Sequence, residues 1–197
     1  MLDFYLVRHG ESIANAGAAT YDPADIPLSD LGRKQAEKFA AHLKIKPDFI
    51  VCSPYLRARQ TAEPVKQLFP DVPFRIWPEV REFTYLAPEK CRNTSAEERK
   101  PRVQAYWQAN WPEYVDGEGA ESFEDFTKRT TDVWRKLFES CYHSILVFSH
   151  EQFIKSLYLW HKEPQLPLLE RMRRFQELSP IGNSEVTLLH CDEECPW

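Results

Sequence analysis

The sequence lacks a long uninterrupted run of apolar residues. Its longest apolar stretch, SILVFSHEQFIKSLYLW, is broken by His150, Glu151 and Lys155, and no window approaches the roughly 18 apolar residues that span a bilayer. The N-terminal MLDFYLVRH has no basic segment, and its apolar run is too short for a signal peptide. We therefore expect no membrane partner for this protein.

An excess of basic residues is also lacking. The 25 lysines and arginines are outnumbered by 30 aspartates and glutamates, which leaves a formal net charge of −5. An acidic protein has little attraction for the phosphate backbone of nucleic acids. This balance argues against broad nucleic-acid binding, but it leaves room for a local basic pocket that binds a small anion.

The cysteines do not form a pattern typical of disulfide-bonded domains. There are five of them, an odd number, scattered along the chain, which indicates reduced thiols and a cytoplasmic protein. Cys191 and Cys195 with His190 could suggest a metal site. Because two or three ligands at a chain end make a poor zinc site, we expect no metal and no cofactor.

The chain has 197 residues, of which 43% are hydrophobic and 28% are charged. This length and composition suit a single globular domain over residues 1–197. Short apolar runs that read as strands alternate with amphipathic runs that read as helices. The pattern predicts an α/β layered domain with a largely parallel sheet. The predicted strands are DFYLV, DFIVCS, FRIW, SILVFS and SEVTLLH.

Helices are predicted at about 28–44, 57–69, 121–140, from 151, and at 166–178. Ser29 or Asp30 can cap the first of them. In the second, Pro64 must lie in the first turns or bend the helix. The faces expected to be buried comprise Leu31, Phe39, Ala40 and Leu43 in the first helix, Ala62, Val65, Leu68 and Phe69 in the second, and Phe123, Phe126, Thr130, Val133, Trp134 and Leu137 in the third.

Residues 85–120 interrupt the alternation of strands and helices. This segment contains three prolines, several charges and a cluster of tyrosines and tryptophans. It is interpreted either as a lid-like insert over a binding site or as a solvated segment whose aromatic residues pack on the domain. Basic residues that could contact a second anionic group are Lys90, Arg92, Arg99, Lys100 and Arg102.

Polar residues follow three predicted strands at the point where each strand ends. The first strand is followed by Arg8 and His9, the second by Ser53 with Arg57 and Arg59 beyond it, and the fourth by the segment Ser149-His150-Glu151. Ligands bind beyond the carboxyl ends of parallel strands, and guanidinium groups and helix N-termini are suited to phosphate. The sequence therefore predicts a small cationic pocket that binds a phosphate group.

These motifs resemble those of the histidine phosphatase superfamily, which has the phosphoglycerate mutase-like fold. The hallmark Arg-His-Gly appears as Arg8-His9-Gly10, the Ser-Pro and arginine of the second strand as SPYLRARQTA, and the later histidine as VFSHE. PEVREF offers a catalytic acid, and GAESF matches the opening of a later helix. The resemblance implies a three-layer α/β/α sandwich around a mostly parallel, mixed sheet.

The resemblance also implies a role for each matching residue. His9 would be the nucleophile that becomes a phosphohistidine, and Glu82 would be the general acid, with Glu79 as the competing candidate. Arg59 is the weaker candidate for a phosphate clamp because it lies two positions beyond Arg57. The residues expected to bind the phosphoryl group are Arg8, Ser12, Asn15, Arg57 and His150.

One position departs from the family pattern. Glu151 follows His150 where the family normally has glycine, so its side chain could crowd the pocket or repel an anion. The simpler interpretation is that Glu151 occupies the first turn of the next helix, where the helix dipole favours a carboxylate.

The family resemblance implies a metal-independent phosphomonoester hydrolase that acts on a small phosphorylated substrate. Two alternatives stay open. A cofactor-dependent phosphoglycerate mutase typically has Glu-Arg-x-Tyr-Gly at the catalytic glutamate, whereas this chain has Glu82-Phe83-Thr84-Tyr85-Leu86. A weakly active phosphate-binding module would agree with the unusual Glu151.

Overall fold

A five-stranded sheet lies at the centre of the computed structural model, which describes residues 2–191. The strands have the spatial order β3-β2-β4-β1-β5, and all neighbours are parallel except β1 and β5. The mostly parallel sheet predicted from the sequence is therefore confirmed. The strands are β1 (Leu2–Arg8), β2 (Phe49–Cys52), β3 (Phe74–Ile76), β4 (Ser144–Ser149) and β5 (Val186–Cys191).

Helices cover both faces of this sheet. Alternate residues of a strand point to opposite faces, so Phe4 and Leu6 pack with residues of α5, α6 and α7, whereas Val7 and Ile50 pack with residues of α1 and α2. The result is the three-layer α/β/α sandwich that the resemblance implied. The helices are α1 (Asp30–His42), α2 (Leu56–Leu68), α3 (Pro88–Cys91), α4 (Ala96–Ala109), α5 (Phe123–Phe138), α6 (Glu151–Lys162) and α7 (Leu168–Glu177).

The helix caps and faces agree with the sequence analysis in most places. Ser29 caps α1 by accepting a hydrogen bond from the backbone N–H of Gly32, and the predicted apolar face of α5 is buried throughout. Two predictions were wrong: Leu31 and Leu68 are each 52% exposed. Gly32 and Ala36 are buried in α1 instead. The start of this helix packs closely against the backbone of Glu11, so the face in contact requires small residues.

The proline-rich segment at 85–120 forms two helices, α3 and α4, and the loops around them. Tyr85, Tyr106 and Trp107 of this segment pack together and against the core residue Phe83. Two backbone hydrogen bonds, Thr20 N–H to Thr94 O and Asn93 N–H to Thr20 O, join it to the loop that precedes α1. The segment is therefore attached to the domain both by aromatic packing and by backbone pairing.

Two findings concern the membrane span and the metal site considered in the sequence analysis. Within residues 2–191, no helix has the length and apolar character needed to cross a bilayer. The suggested metal ligand Cys195 lies outside the described residues, and the described part of the chain contains no group of three or more potential metal ligands.

Candidate active site

The register of the sheet brings two histidines together. Strand β1 pairs with β4 so that Arg8 lies opposite Ser149, and the backbone N–H of His9 donates to the carbonyl of Ser149 over 3.0 Å. The residue that follows each strand is a histidine, so both histidines lie at the same edge of the sheet. The rings of His9 and His150 have centroids 5.2 Å apart and an interplanar angle of 62°.

The side chain of His9 is buried and has a defined tautomer. Its Nδ1 lies 2.7 Å from the carbonyl oxygen of Gly10, so Nδ1 carries the proton and Nε2 carries the lone pair. The Nε of Arg57 donates to this Nε2 over 3.0 Å. Burial, and next the charge of Arg57, lower the pKa of His9 well below 6.5, so the imidazole is neutral and nucleophilic at pH 7.

Close backbone packing holds the loop that carries His9. The N–H of Gly10 donates to Oγ1 of Thr61 over 2.9 Å. A Cβ atom at Gly10 would lie 2.6 Å from the carbonyl oxygen of Gly32 in α1, a distance that carbon and oxygen atoms do not tolerate. Only glycine at position 10 allows the catalytic loop to pass against the start of α1.

Arg57 lies in the first turn of α2, which a three-residue loop joins to β2. Its side chain is buried, and its Nη1 donates to the carbonyl of Pro23 over 2.6 Å. Burial lowers its pKa to about 10, although nearby Glu82 acts in the opposite direction. The guanidinium is therefore charged at pH 7 and held in place by His9 and by the loop before α1.

His150 directly follows β4, caps the start of α6 and is fully buried. Its Nε2 lies 2.7 Å from Oγ of Ser53, and that hydroxyl also accepts a hydrogen bond from the N–H of Tyr55. When Ser53 donates its proton to Nε2, the histidine proton lies on Nδ1. This Nδ1 has no hydrogen-bond partner among the described residues, so the site contains a buried, unpaired nitrogen on a ring that lies beside the ring of His9.

Glu82 accepts hydrogen bonds at the start of α6. Its carboxylate oxygens lie 3.3 Å from the N–H of Phe153 and 3.4 Å from that of Gln152. Burial raises its pKa, although these N–H groups and Arg57 oppose the shift. The competing candidate Glu79 lies on a 3-10 turn and pairs with Lys136 over 3.9 Å. Of the two carboxylates, Glu82 is the one that interacts with Arg57.

Arg8 and Glu151 form an ion pair at the rim of the site. Nη1 of Arg8 lies 3.2 Å from Oε2 of Glu151 and also donates to the carbonyl of Ile181. The second oxygen of Glu151 lies 3.0 Å from Nζ of Lys155, one turn further along α6. Glu151 is the first residue of α6, as predicted, and it contacts two cations. Nε of Arg8 is buried without a partner in the described chain.

Three further candidates lie outside this cluster or are otherwise engaged. Ser12 Oγ donates to Oδ1 of Asn15 over 3.0 Å and accepts from the Asn15 N–H over 3.2 Å, so these residues stabilise each other in a turn. Their binding of phosphate stays a prediction. Arg59 is exposed on α2, in agreement with its lower rank in the sequence analysis.

Two residues that the sequence analysis did not name as site residues also support the site. Thr61 holds Gly10 and donates its hydroxyl proton to the carbonyl of Arg57 over 2.7 Å. Asn183 donates from Nδ2 to the carbonyl of His9 over 3.1 Å. Asn183 precedes β5, the antiparallel edge strand, and the start of an antiparallel strand lies at the carboxyl edge of its parallel neighbours. The position of Asn183 before an antiparallel edge strand could therefore have indicated that it lies near the site.

The geometry agrees with a comparison against known protein families. Residues 4–196 match the model of the histidine phosphatase superfamily, branch 1. The chain belongs to the histidine phosphatase superfamily. The resemblance inferred from Arg8-His9-Gly10 and the later motifs is therefore confirmed.

Curated relatives and solved structures of this superfamily are similar to the chain over most of its length. The adenosylcobalamin/alpha-ribazole phosphatase of Salmonella typhimurium is 32% identical over 156 residues, which cover 78% of this chain and 76% of the relative. The alpha-ribazole phosphatase of Shigella flexneri has a TM-score of 0.77 at 21% identity, with 98% of this chain and 92% of that chain covered. A mycobacterial glucosyl-3-phosphoglycerate phosphatase with VO3 also has a TM-score of 0.77, at 24% identity, with 96% and 93% covered. These two structures show the fold.

Proposed function

We propose that this protein is a metal-independent phosphomonoester hydrolase that acts on a small phosphorylated substrate through a phosphohistidine at His9. One observation carries the proposal: Nε2 of His9 and the unpaired Nδ1 of His150 belong to neighbouring rings in an edge-on arrangement, and Arg57 donates to the first of these atoms. A nucleophile and several hydrogen-bond donors thus surround one small space, as transfer of a phosphoryl group requires.

In the first step, Nε2 of His9 attacks phosphorus in line with the ester oxygen. The bond between nitrogen and phosphorus forms as the bond between phosphorus and the ester oxygen breaks, and protonated Glu82 donates its proton to the departing alkoxide. Arg57 donates to the lone pair of His9 before substrate binds. That hydrogen bond must transfer to a phosphoryl oxygen before His9 can attack.

In the second step, water attacks phosphorus and releases His9. The Glu82 carboxylate left by the first step accepts a proton from this water as the new oxygen–phosphorus bond forms and the bond to His9 breaks. Inorganic phosphate leaves, and Glu82 is again protonated. The raised pKa of Glu82, caused mainly by burial, supports its role as acid in one step and base in the other.

Positive charge and directed donors stabilise the transition state in this proposal. Arg8, Arg57 and His150 face the phosphoryl group, and one well-placed donor to developing charge is worth ~3 kcal/mol. His150 contributes a donor without a positive charge, because burial and neighbouring cations keep its pKa well below 6.5. Ser12 and Asn15 are proposed as additional neutral contacts to phosphate.

Two other functions remain testable. The phosphatase names of the relatives favour hydrolysis over a mutase reaction. So do Phe83 and Leu86, which occupy the positions of the arginine and glycine that mutases typically have. A weakly active phosphate-binding module is favoured by one contact, the ion pair of Glu151 with Arg8. The cytoplasmic location stays a prediction from the cysteine pattern.

Turnover of a generic aryl phosphate tests the proposal directly. We expect steady release of phosphate that persists in excess chelator. Binding of phosphate or vanadate without turnover would indicate the binding module, and activity that chelator abolishes and zinc or magnesium restores would overturn the mechanism. Incubation with 2,3-bisphosphoglycerate and 3-phosphoglycerate, followed by measurement of isomer exchange, distinguishes the mutase.

A further inference from the structure

A cavity of about 170 Å³ opens beside Arg57 and Glu82. The loop at 20–26 forms one wall, and the segment from Glu82 to Val103 forms the other. Because Glu82 is placed to protonate the leaving oxygen, this cavity lies where the alcohol portion of a substrate must go. We call it the alcohol cavity, and its use in recognition rests on the proposed function.

The lining of the alcohol cavity is mainly apolar and aromatic. Aromatic and short aliphatic side chains pack against the faces of a ligand ring, and removing the surface of that ring from water favours binding. Tyr85 stays neutral at pH 7, because burial raises the pKa of its hydroxyl. Lining residues of this kind include Tyr21, Tyr55, Tyr85, Leu86 and Val103.

One basic residue of the lining forms no ion pair within 4.0 Å in the described part of the chain, although its charge acts on the exposed Glu98 beside it in sequence. Arg99, in α4, is half-buried and donates from Nη1 to the carbonyl of Thr94 over 2.6 Å and to its hydroxyl over 3.1 Å. Within residues 2–191, no carboxylate lies within 4.0 Å of its guanidinium nitrogens. A half-buried guanidinium whose hydrogen bonds go only to neutral acceptors retains capacity for an anion.

The other basic residues of this segment are occupied or lie elsewhere. Lys90, Arg92 and Lys100 form ion pairs with Asp116, Glu89 and Glu97, respectively. Arg102 is exposed and does not line the cavity. Of the five basic residues that the sequence suggested for a second anionic group, the structure therefore selects Arg99.

We propose that the alcohol cavity selects phosphomonoesters of a flat, apolar ring alcohol that carries a carboxylate or a second anionic group, which pairs with Arg99. The ring contacts the tyrosines and aliphatic side chains, the phosphate contacts the histidines and Arg57, and Arg99 recognises the distal charge. The charged residues of the lining are Arg57, Arg99 and Glu82. The two arginines can pair with the phosphate and with the second anion, and Glu82 is the proposed acid.

The test compares esters whose alcohols are similar leaving groups: benzyl phosphate, its 3-carboxy and 4-carboxy derivatives, and ethyl phosphate as a ringless reference. We expect kcat/KM to be about tenfold higher for one carboxybenzyl ester than for benzyl phosphate, the effect of one half-buried charge pair. Arg99→Gln should bring this ratio close to one. Arg102→Gln, on the same helix but outside the cavity, should leave the ratio unchanged.

The outcomes separate this proposal from the proposed function. The anion subsite is wrong if benzyl phosphate is hydrolysed but neither carboxybenzyl ester has a higher kcat/KM. It is also wrong if Arg99→Gln retains the higher kcat/KM of a carboxybenzyl ester. In both cases the phosphatase assignment stands. If no ester is hydrolysed, binding of 3- and 4-carboxybenzylphosphonate is compared with that of benzylphosphonate by calorimetry. A preference lost in Arg99→Gln supports the subsite even then, and equal affinities overturn it.

Discussion

At the phosphate end of the site, defined by Arg8, His9, Arg57 and His150, the side chains come from the ends of adjacent strands and the first turn of one helix. At the alcohol end they come from a loop and from the segment at 82–103. The first end is fixed by the sheet register and by buried hydrogen bonds. The second is joined to the opposite loop by a pair of backbone hydrogen bonds at Thr20.

This difference separates chemistry from selection. Sheet register leaves little freedom in the spacing of His9 and His150, because a change there would require β1 and β4 to slip. The alcohol end can change its loops and helices without moving the strands. Substitutions at the phosphate end should therefore act mainly on kcat, and substitutions at the alcohol end mainly on KM and on the choice of substrate.

The largest effect is expected for His9→Ala. Loss of the nucleophile should lower kcat by at least about 10⁴-fold, while vanadate or phosphate still binds, because Arg8, Arg57 and His150 remain and Arg57 no longer donates to His9. His42→Ala, at an exposed position on α1, serves as the control. Parallel loss of turnover and vanadate affinity, measured by calorimetry, would mean that His9 is a clamp rather than the nucleophile.

Glu82→Gln should reduce kcat by about 10²- to 10³-fold for alkyl esters, which need a proton on the leaving oxygen. The loss should be much smaller for a p-nitrophenyl ester, whose leaving group needs no proton. Since the pKa of Glu82 is raised above 4.5, the active protonated form persists to higher pH than usual and is lost as pH rises through that pKa. The alkaline limb of kcat/KM should disappear in the variant.

Glu79→Gln is the matched control for this experiment, because Glu79 precedes Glu82 by three residues and pairs with Lys136. It should retain both the activity and the alkaline limb. The acid limb, which reports protonation of His9, should lie below pH 6.5 in all three proteins, since the pKa of His9 is lowered. An equal loss for alkyl and p-nitrophenyl esters in Glu82→Gln would assign the acid elsewhere.

Glu151→Gln tests whether the unusual carboxylate competes with phosphate for Arg8. Removing one partner of a partly buried pair should tighten phosphate inhibition about threefold to fivefold, with kcat within about twofold of the parent. Glu170→Gln, in an exposed pair with Arg173, controls for a general change in surface charge. Weaker phosphate binding in Glu151→Gln would show instead that Glu151 positions Arg8 for the substrate.

The smallest effect is expected at the alcohol end, from Val103→Ala. Shortening this side chain removes part of the apolar contact with a bound ring, so KM for benzyl phosphate should rise about twofold to threefold, with kcat nearly constant. Ethyl phosphate is too small to reach this wall and should show little change. A fall in kcat comparable to that of the phosphate-end variants would remove the distinction between the two ends.

The phosphate end could be predicted from the sequence because it follows from strand order. Arg8-His9 and His150 come directly after apolar runs, and parallel strands place such residues at one edge. Contacts made at a distance along the chain were less accessible. The hydrogen bonds of Thr61 to Gly10 and of Asn183 to His9 depend on helix packing and on an antiparallel edge strand, and the exposure of Leu31 depends on the close approach of α1.

The alcohol end could not be predicted in the same way. Its wall depends on how the helices α3 and α4 fold back toward the loop at 20–26, and neither apolar periodicity nor a motif determines that arrangement. The sequence offered five basic residues, and only their partners in three dimensions distinguish Arg99 from the rest. The lid-like role of the segment at 85–120 stays a prediction.

The contact between Gly32 and the catalytic loop limits how this protein can be made more thermostable. Replacing a helical glycine with alanine is a standard way to gain about 1 kcal/mol. At Gly32, however, the added methyl carbon would lie 1.9 Å from the carbonyl oxygen of Glu11, two residues beyond the nucleophile. Directed evolution for heat resistance should therefore retain glycine at this position whenever the selection also demands turnover.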